Sequence, residues 1–228
     1  MLLSIIIPAI NESASIHNIL TPLQELRSKK LIEVIVVDGG SDDDTIKKAA
    51  LLADKVISSR KGRALQMNAG AELAVGDMLL FLHADTSLPS DIYSEIKKIF
   101  VGKYSFWGFS PVFLSGSNWL FRVIERSINI RSRMTSVATG DQALFVSRSL
   151  FESVGQFPEL RLMEDVAISK ALRKIKPPCV LNSYVKTSSR RWEENGIIKT
   201  IGLMWILRLQ YFLGVSSEKL AKKYYPNN

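Results

Sequence analysis

Leu3-Ser4-Ile5-Ile6-Ile7-Pro8 is a short, nearly unbroken apolar run that ends in a polar loop through Asn11 and Glu12. So short a run without alternation is what a strand covered on both faces requires. The pattern returns at residues 32–37, 55–59 and 78–82. Helical spacing fills the gaps. In segment 42–54, Ile46, Ala49, Ala50 and Ala53 share one face, and Ser41 with Asp44 forms a capping-box start. Leu65, Ala69 and Leu73 recur every four residues, and Ile92, Ile96, Ile99 and Phe100 line a further helix. Strand and helix in strict alternation predict an α/β fold, a mainly parallel sheet flanked by helices. In such sheets ligands bind beyond the carboxyl ends of the strands, which directs attention to residues 8–12, 38–45, 60–63 and 83–87.

The second half is less regular. Trp107, Phe109 and Phe113 alternate as in a strand, and Phe121, Ile124 and Ile128 fall on one helical face. Residues 131–136 show no period and read as a mobile loop, whereas 140–146 and 180–185 read as further strands. With no internal repeat and no linker, the 228 residues are expected to form one domain. It divides into a first half (1–116), a second half (117–192) and a helical tail (193–228).

Composition narrows the classes of function. The apolar content of 46% excludes disorder, and the lone Cys179 excludes an internal disulfide framework. The start has no basic n-region and no cleavage site, so a cytoplasmic protein is expected. The apolar stretch 197–215 approaches the ~20 residues of a membrane span. However, it contains Lys199, Arg208 and Gln210, and a central charge costs about 2.5–3.5 kcal/mol on insertion. The tail is therefore read as packing on the domain, forming a homodimer contact, or lying on a membrane surface. The net charge of +8 suits an acidic partner. All of it lies in residues 117–228, where 18 basic side chains face 9 acidic ones; Arg122, Arg126, Arg131 and Arg133 cluster in one segment, Arg190 and Arg191 in another. That confinement favours a phosphate-bearing ligand and an anionic or membrane-associated second substrate. No helix-turn-helix, zinc-finger or RNP signature accompanies the charge, so no nucleic acid partner is expected.

Three strand ends carry the chemistry: Pro8-Ala9-Ile10-Asn11-Glu12, Asp38-Gly39-Gly40-Ser41-Asp42-Asp43 and His83-Ala84-Asp85-Thr86. No glycine-rich dinucleotide fingerprint and no P-loop occurs. The first loop also lacks the Gly-rich, Arg-containing form of a nucleotidyltransferase. A strand-end carboxylate such as Asp85 suits Mg²⁺ or Mn²⁺ shared with substrate phosphates. His83, two residues earlier on the same face of an extended segment, would add a ligand or an orienting hydrogen bond.

Residues 4–8 with Asn11-Glu12, Val36-Val37-Asp38-Gly39-Gly40-Ser41 with Asp43 and Thr45, and Phe81-Leu82-His83-Ala84-Asp85 together resemble the family 2 glycosyltransferases of the GT-A fold. Gly140-Asp141-Gln142 and Glu164-Asp165 are similar to that family's acceptor-side motifs. Residues 62–70 and Ser189-Arg190-Arg191-Trp192 look like one bacterial-type branch of it.

The resemblance implies a GT-A, Rossmann-like sheet and a nucleotide-diphosphate sugar donor, a UDP-sugar foremost. It implies a base and ribose site at Pro8, Ala9, Asn11, Glu12 and Asp38, with Gly62 and Arg63 over the nucleotide. Asp85, with His83, would bind a divalent cation, Mn²⁺ or Mg²⁺. Asp165, beside Glu164, would be the general base of an inverting transfer to an unidentified acceptor, lipid-linked among the options. If a helix starts at this pair, its dipole favours the ionised carboxylates. Arg190 and Arg191 would meet phosphate while Trp192 stacks on a sugar. Alternatively, these three are a snorkelling pair and a partly buried anchor. Asp141 and Gln142 would orient the acceptor or a metal-bound water, or simply form a turn. His83 stands where the common motif starts with an aspartate, which raises a second reading, a nucleotide-sugar-binding module without catalysis.

Overall fold

The computed structural model describes residues 1–102 and 105–225, so the last three residues of tail segment 193–228 and two of segment 1–116 lie outside the described residues. The strands are β1 (Leu3–Ala9), β2 (Ile32–Asp38), β3 (Lys55–Ser58), β4 (Met78–Phe81), β5 (Thr86–Ser87), β6 (Trp107–Phe109), β7 (Val112–Leu114), β8 (Phe145–Ser147), β9 (Cys179–Val180) and β10 (Val185–Thr187). The helices are α1 (Ile16–Leu20), α2 (Gln24–Ser28), α3 (Thr45–Ala49), α4 (Arg63–Leu73), α5 (Ile92–Gly102), α6 (Trp119–Thr135), α7 (Arg148–Ser153), α8 (Glu164–Ile175), α9 (Arg190–Asn195), α10 (Ile197–Phe212) and α11 (Ser217–Tyr224).

The main sheet has the order β3-β2-β1-β4-β8-β6-β9, with β3, β2, β1 and β4 parallel and β8 antiparallel to both neighbours. All seven residues of β1 and of β2 are buried, as their unbroken apolar runs require. Strand order reverses between β1 and β4, a switch point that opens a crevice at their carboxyl ends. One buried cluster packs on each face of the sheet. The mainly parallel α/β sheet with a helical C-terminal extension is as expected.

Several local expectations fail for identifiable reasons. Helix α4 buries Ala64, Gln66, Met67, Gly70 and Ala71 rather than the Leu65–Ala69–Leu73 face. A side chain at Gly70 would press on Ile6 and Val37, so small residues let the helix lie flat on β1 and β2. Segment 42–54 is helical only over Thr45–Ala49, because Ser41, Asp43 and Thr45 hold the loop after β1 instead of capping a longer helix. Residues 131–135 are the end of α6, not a loop. Their period was hidden by two polar residues on the helix's inner face: Glu125 accepts from the Leu114 N–H, and Ser132 donates to Gln142 Oε1 at 2.7 Å. Residues 140–142 form a 3₁₀ turn before β8, and 180–185 divide between β9 and β10 in different sheets.

The small sheet, order β5-β10-β7, positions the site. The Thr86 and Thr187 hydroxyls share a hydrogen bond at 2.9 Å, and the Ser188 N–H reaches the Asp85 carbonyl at 3.1 Å. This pairing delivers residues 188–192 to the crevice.

Candidate active site

The loops after β1 and β2 are laced together. The Asn11 N–H donates to Ser41 Oγ (2.9 Å), the Glu12 N–H to Thr45 Oγ1 (2.8 Å) and the Ser13 N–H to Asp43 Oδ2 (3.1 Å). Asp38 is buried and accepts from the N–H groups of Gly40 (2.8 Å) and Ser41 (3.0 Å) and from the Ser41 hydroxyl, so it holds the turn itself. Beneath, buried Gln66 donates to the carbonyls of Ala9 (3.0 Å) and Val37 (2.8 Å), locking the ends of β1 and β2 together next to Pro8. The sequence shows Gln66 only as one polar residue in a helix; the signal was its place on a face of small residues.

Glu12 faces the crevice. Ser15 donates to it at 2.6 Å, and Arg190 lies 3.9 Å away. Burial, together with Asp85 and Asp43, lifts its pKa against the pull of Ser15 and Arg190. Asp85 accepts from the Thr86 hydroxyl at 3.2 Å. A turn closed by the Thr86 N–H on the His83 carbonyl (3.1 Å) replaces the extended segment expected for 83–85.

His83 instead joins the second acidic group. It lines a small cavity with Gly140, Glu164 and Asp165. Burial chiefly, and then Arg63, drop its pKa to about 3, with Asp141 opposing, so the ring is neutral. Asp165 accepts from the N–H groups of Gly140 (2.9 Å) and Val166 (2.7 Å). The pair does open α8, yet burial outweighs the helix dipole. Asp165 is raised by burial and by Asp141 despite those two N–H bonds and Arg63. Glu164 is pushed up to about 7 by burial and by Asp165, with Arg63 opposing.

Arg63 begins α4 just after Gly62, whose φ of +148° favours glycine. Burial works against its charge, but Tyr225, Tyr224, Glu164 and Asp165 around it hold its pKa above the usual value. Arg131 is lowered by burial against the attraction of Asp141 and Asp165. Two cations and three carboxylates thus share one partly buried centre, with Glu164 the most enclosed of them.

The remaining residues divide. Arg191 donates to the Tyr224 carbonyl at 2.9 Å and stacks over that ring at 3.6 Å, so it straps the end of α11 across the site. Trp192 packs with Phe121, Ile124 and Ile197, the anchoring alternative. Gln142 is fully buried and closes its own turn with Thr139. Arg122 bonds the carbonyls of Leu114 and Gly116 and pairs with Glu125 at 2.9 Å. It belongs to the scaffold; of the arginines in its segment, Arg131 is the one that meets Asp141 and Asp165. Tyr224 and Tyr225, from the tail, were not foreseen in the site. Only their proximity to Arg63 and Arg191 in space reveals them.

Carboxylates and guanidinium groups converging at the carboxyl ends of a parallel sheet, at its switch point, define the substrate crevice of an α/β enzyme. The chain belongs to glycosyl transferase family 2, whose profile matches residues 4–151, and it is a glycosyltransferase. It is 27% identical over 204 residues to a PGL/p-HBAD biosynthesis glycosyltransferase of Mycobacterium bovis, covering 85% of this chain and 77% of the relative. It is 29% identical over 102 residues to glucosyl-3-phosphoglycerate synthase of Mycobacterium tuberculosis, covering 40% of this chain and 31% of that one. Among solved structures, S. aureus TarS 1-349 with UDP-GlcNAc superposes with a TM-score of 0.68 at 19% identity, over 82% of this chain and 58% of TarS 1-349. The mannosyltransferase PcManGT of Pyrobaculum calidifontis, with GDP-Man and Mn²⁺, gives 0.61 at 20% identity, over 81% of this chain and 56% of its own. The chain thus spans less than two thirds of these solved relatives.

Proposed function

We propose that the enzyme transfers a sugar, with inversion, from a nucleotide-diphosphate sugar to an acceptor hydroxyl, with Asp165 as general base. The observation that carries this reading is the Asp165 carboxylate, fixed by the Gly140 and Val166 N–H groups and raised by burial toward the working pH of a base. In this scheme the acceptor oxygen bonds to the anomeric carbon and its proton passes to Asp165. The bond from that carbon to the diphosphate oxygen breaks. Arg63 and Arg190 offset the charge growing on the leaving group, joined by Arg191 when it releases Tyr224. Nucleotide base and ribose lie along residues 8–12 and the Asp38 turn. One domain would hold the donor with its first half and the acceptor with its second. Residues 62–70 and 189–192 would place the chain in a distinct branch of the family.

Among the described residues no three His, Cys, Asp or Glu groups come together to hold a metal ion by themselves. Asp85, which receives one hydroxyl hydrogen bond and lies near Glu12, fits an ion completed by substrate phosphates. Mn²⁺ or Mg²⁺ held there by Asp85 would supply positive charge to the diphosphate. His83, which lines the cavity with Gly140, Glu164 and Asp165, fits an orienting role there better than a ligand's beside Asp85. The solved relatives' complexes with UDP-GlcNAc and with GDP-Man and Mn²⁺ support a nucleotide-sugar donor, a UDP-sugar first. The basic second half suits an anionic or lipid-linked acceptor.

A thermal-shift screen of UDP- and GDP-sugars with and without Mn²⁺ tests the donor, since a ligand of the native state raises its apparent stability. A stabilising nucleotide-sugar is expected, and its loss on Asp85→Asn only when Mn²⁺ is present. No stabilisation by any donor would refute the reading. A donor that binds but is never turned over would favour the catalytically silent alternative.

A further inference from the structure

Helix α10 leaves one face uncovered. Its inner face is used by the fold: Thr200 and Leu207 are buried, and Leu203 and Tyr211 pack with Leu220 and Ala221 of α11 and with Leu162 and Val166. The outer face carries Ile198, Trp205, Ile206, Leu209 and Phe212, continued by Leu213 at the C-cap, each between 52% and 80% exposed. At 100° per residue these six fall within an arc of about 120°, as wide as the core-facing stripe of an ordinary helix. Here the stripe points away from the core.

The borders of this arc are cationic. Lys199 flanks one edge and Arg208 the other, and α10 contains no acidic residue. Two lysines from neighbouring helices extend the borders. Lys223 of α11 donates to Gln210 Oε1 at 3.0 Å on the Lys199 side, and the Lys170 ammonium of α8 sits 4.2 Å from the Phe212 ring centre on the Arg208 side.

We infer that this face of α10 docks on an anionic lipid bilayer, with the helix lying in the interface plane. A second copy of the chain is the poorer occupant, because a two-fold contact would bring the cationic borders against each other, whereas anionic headgroups complement them. Length decides the orientation. The 16 residues of α10 rise about 24 Å, short of the ~30 Å hydrocarbon core, and no helix among the described residues is long and apolar enough to cross a membrane. A tryptophan and a phenylalanine among aliphatic side chains, bordered by Lys and Arg, form the composition of an interfacial helix. The surface would bring the catalytic crevice to a membrane through the tail, whose α11 already reaches Arg63 and Arg191.

Vesicle co-sedimentation tests this with the full chain and no donor or acceptor, so its outcome is independent of the transfer reading. The wild type should bind phosphatidylglycerol–phosphatidylcholine vesicles at low salt at least about tenfold more tightly than phosphatidylcholine alone, and weaken in high salt. Trp205→Ser with Leu209→Ser should reduce binding at least about tenfold with an unchanged melting temperature, both side chains being exposed. Lys199→Glu with Arg208→Glu should abolish the preference for the anionic lipid. A second readout uses a conservative replacement at an exposed position: brominated lipid should quench wild-type fluorescence more than that of Trp205→Phe. No binding to anionic vesicles, binding indifferent to Trp205 and Leu209, or equal quenching of the two proteins would overturn the inference. So would a solution dimer that the double serine variant converts to monomer.

Discussion

Replacing Glu164 by Gln offers a quantitative check on the buried acidic centre. A carboxyl whose folded-state pKa lies above its unfolded value holds its proton more tightly when folded. Stability therefore falls as pH rises from the ordinary 4.5 toward about 7, and stays reduced above that. At about 1.4 kcal/mol per unit, that displacement corresponds to a penalty of order 3 kcal/mol at pH 8 and close to none at pH 4. Glutamine keeps the shape and has nothing to ionise, so the substitution should stabilise the protein by up to about 3 kcal/mol at pH 8 and leave it nearly unchanged at pH 4. Any lost hydrogen bond would appear equally at both pH values, so the difference between them isolates the titration. Urea unfolding at the two pH values, with matched m-values, measures it. A variant no more stable at pH 8 than at pH 4, relative to wild type, would refute the assignment of burial and Asp165 as the causes.

Other consequences are independent of this one. Asp165→Asn should lower turnover by about 10²–10⁴-fold, the usual contribution of a positioned base, while donor affinity by calorimetry stays within about threefold. A Cβ at Gly140 would overlap the His83 ring, so Gly140→Ala should destabilise by about 1–3 kcal/mol in chemical denaturation and reduce turnover at least about tenfold by moving the Asp165 anchor. Gln66→Leu removes the amide that bridges the Ala9 and Val37 carbonyls and should cost about 1–3 kcal/mol in urea midpoint experiments. Arg191→Ala should speed amide exchange at residues 217–225 at least tenfold without affecting β1 or β2, because the bond to Tyr224 and its ring contact are lost.

The parallel half of the sheet was legible because β1 and β2 are buried throughout, and strands so placed can hardly be anything but continuously apolar. The loops at their carboxyl ends therefore lie side by side, as the strand–helix alternation predicts. What stayed hidden depends on distant contacts. Helix α4 shows its packing face only through small residues, and α6 through Glu125 and Ser132, whose inner-face partners lie 11 and 10 residues away in sequence. The pairing of β5 with β10, which carries Arg190 to Glu12, joins segments about a hundred residues apart. Periodicity cannot express that. The helix start at Glu164-Asp165 was legible, but desolvation by burial, which no local pattern expresses, outweighs the dipole there and the pull of Arg63.

The pH dependence of nucleoside diphosphate release from the stabilising nucleotide-sugar, wild type against Asp165→Asn with Mn²⁺ present, tests the central claim most directly. The account predicts a wild-type rate that rises to a plateau as pH climbs through an acidic limb above the usual Asp range, and a variant at least about a hundredfold slower on that plateau. Equal rates for the two proteins, or no release from any nucleotide-sugar at any pH, would contradict it.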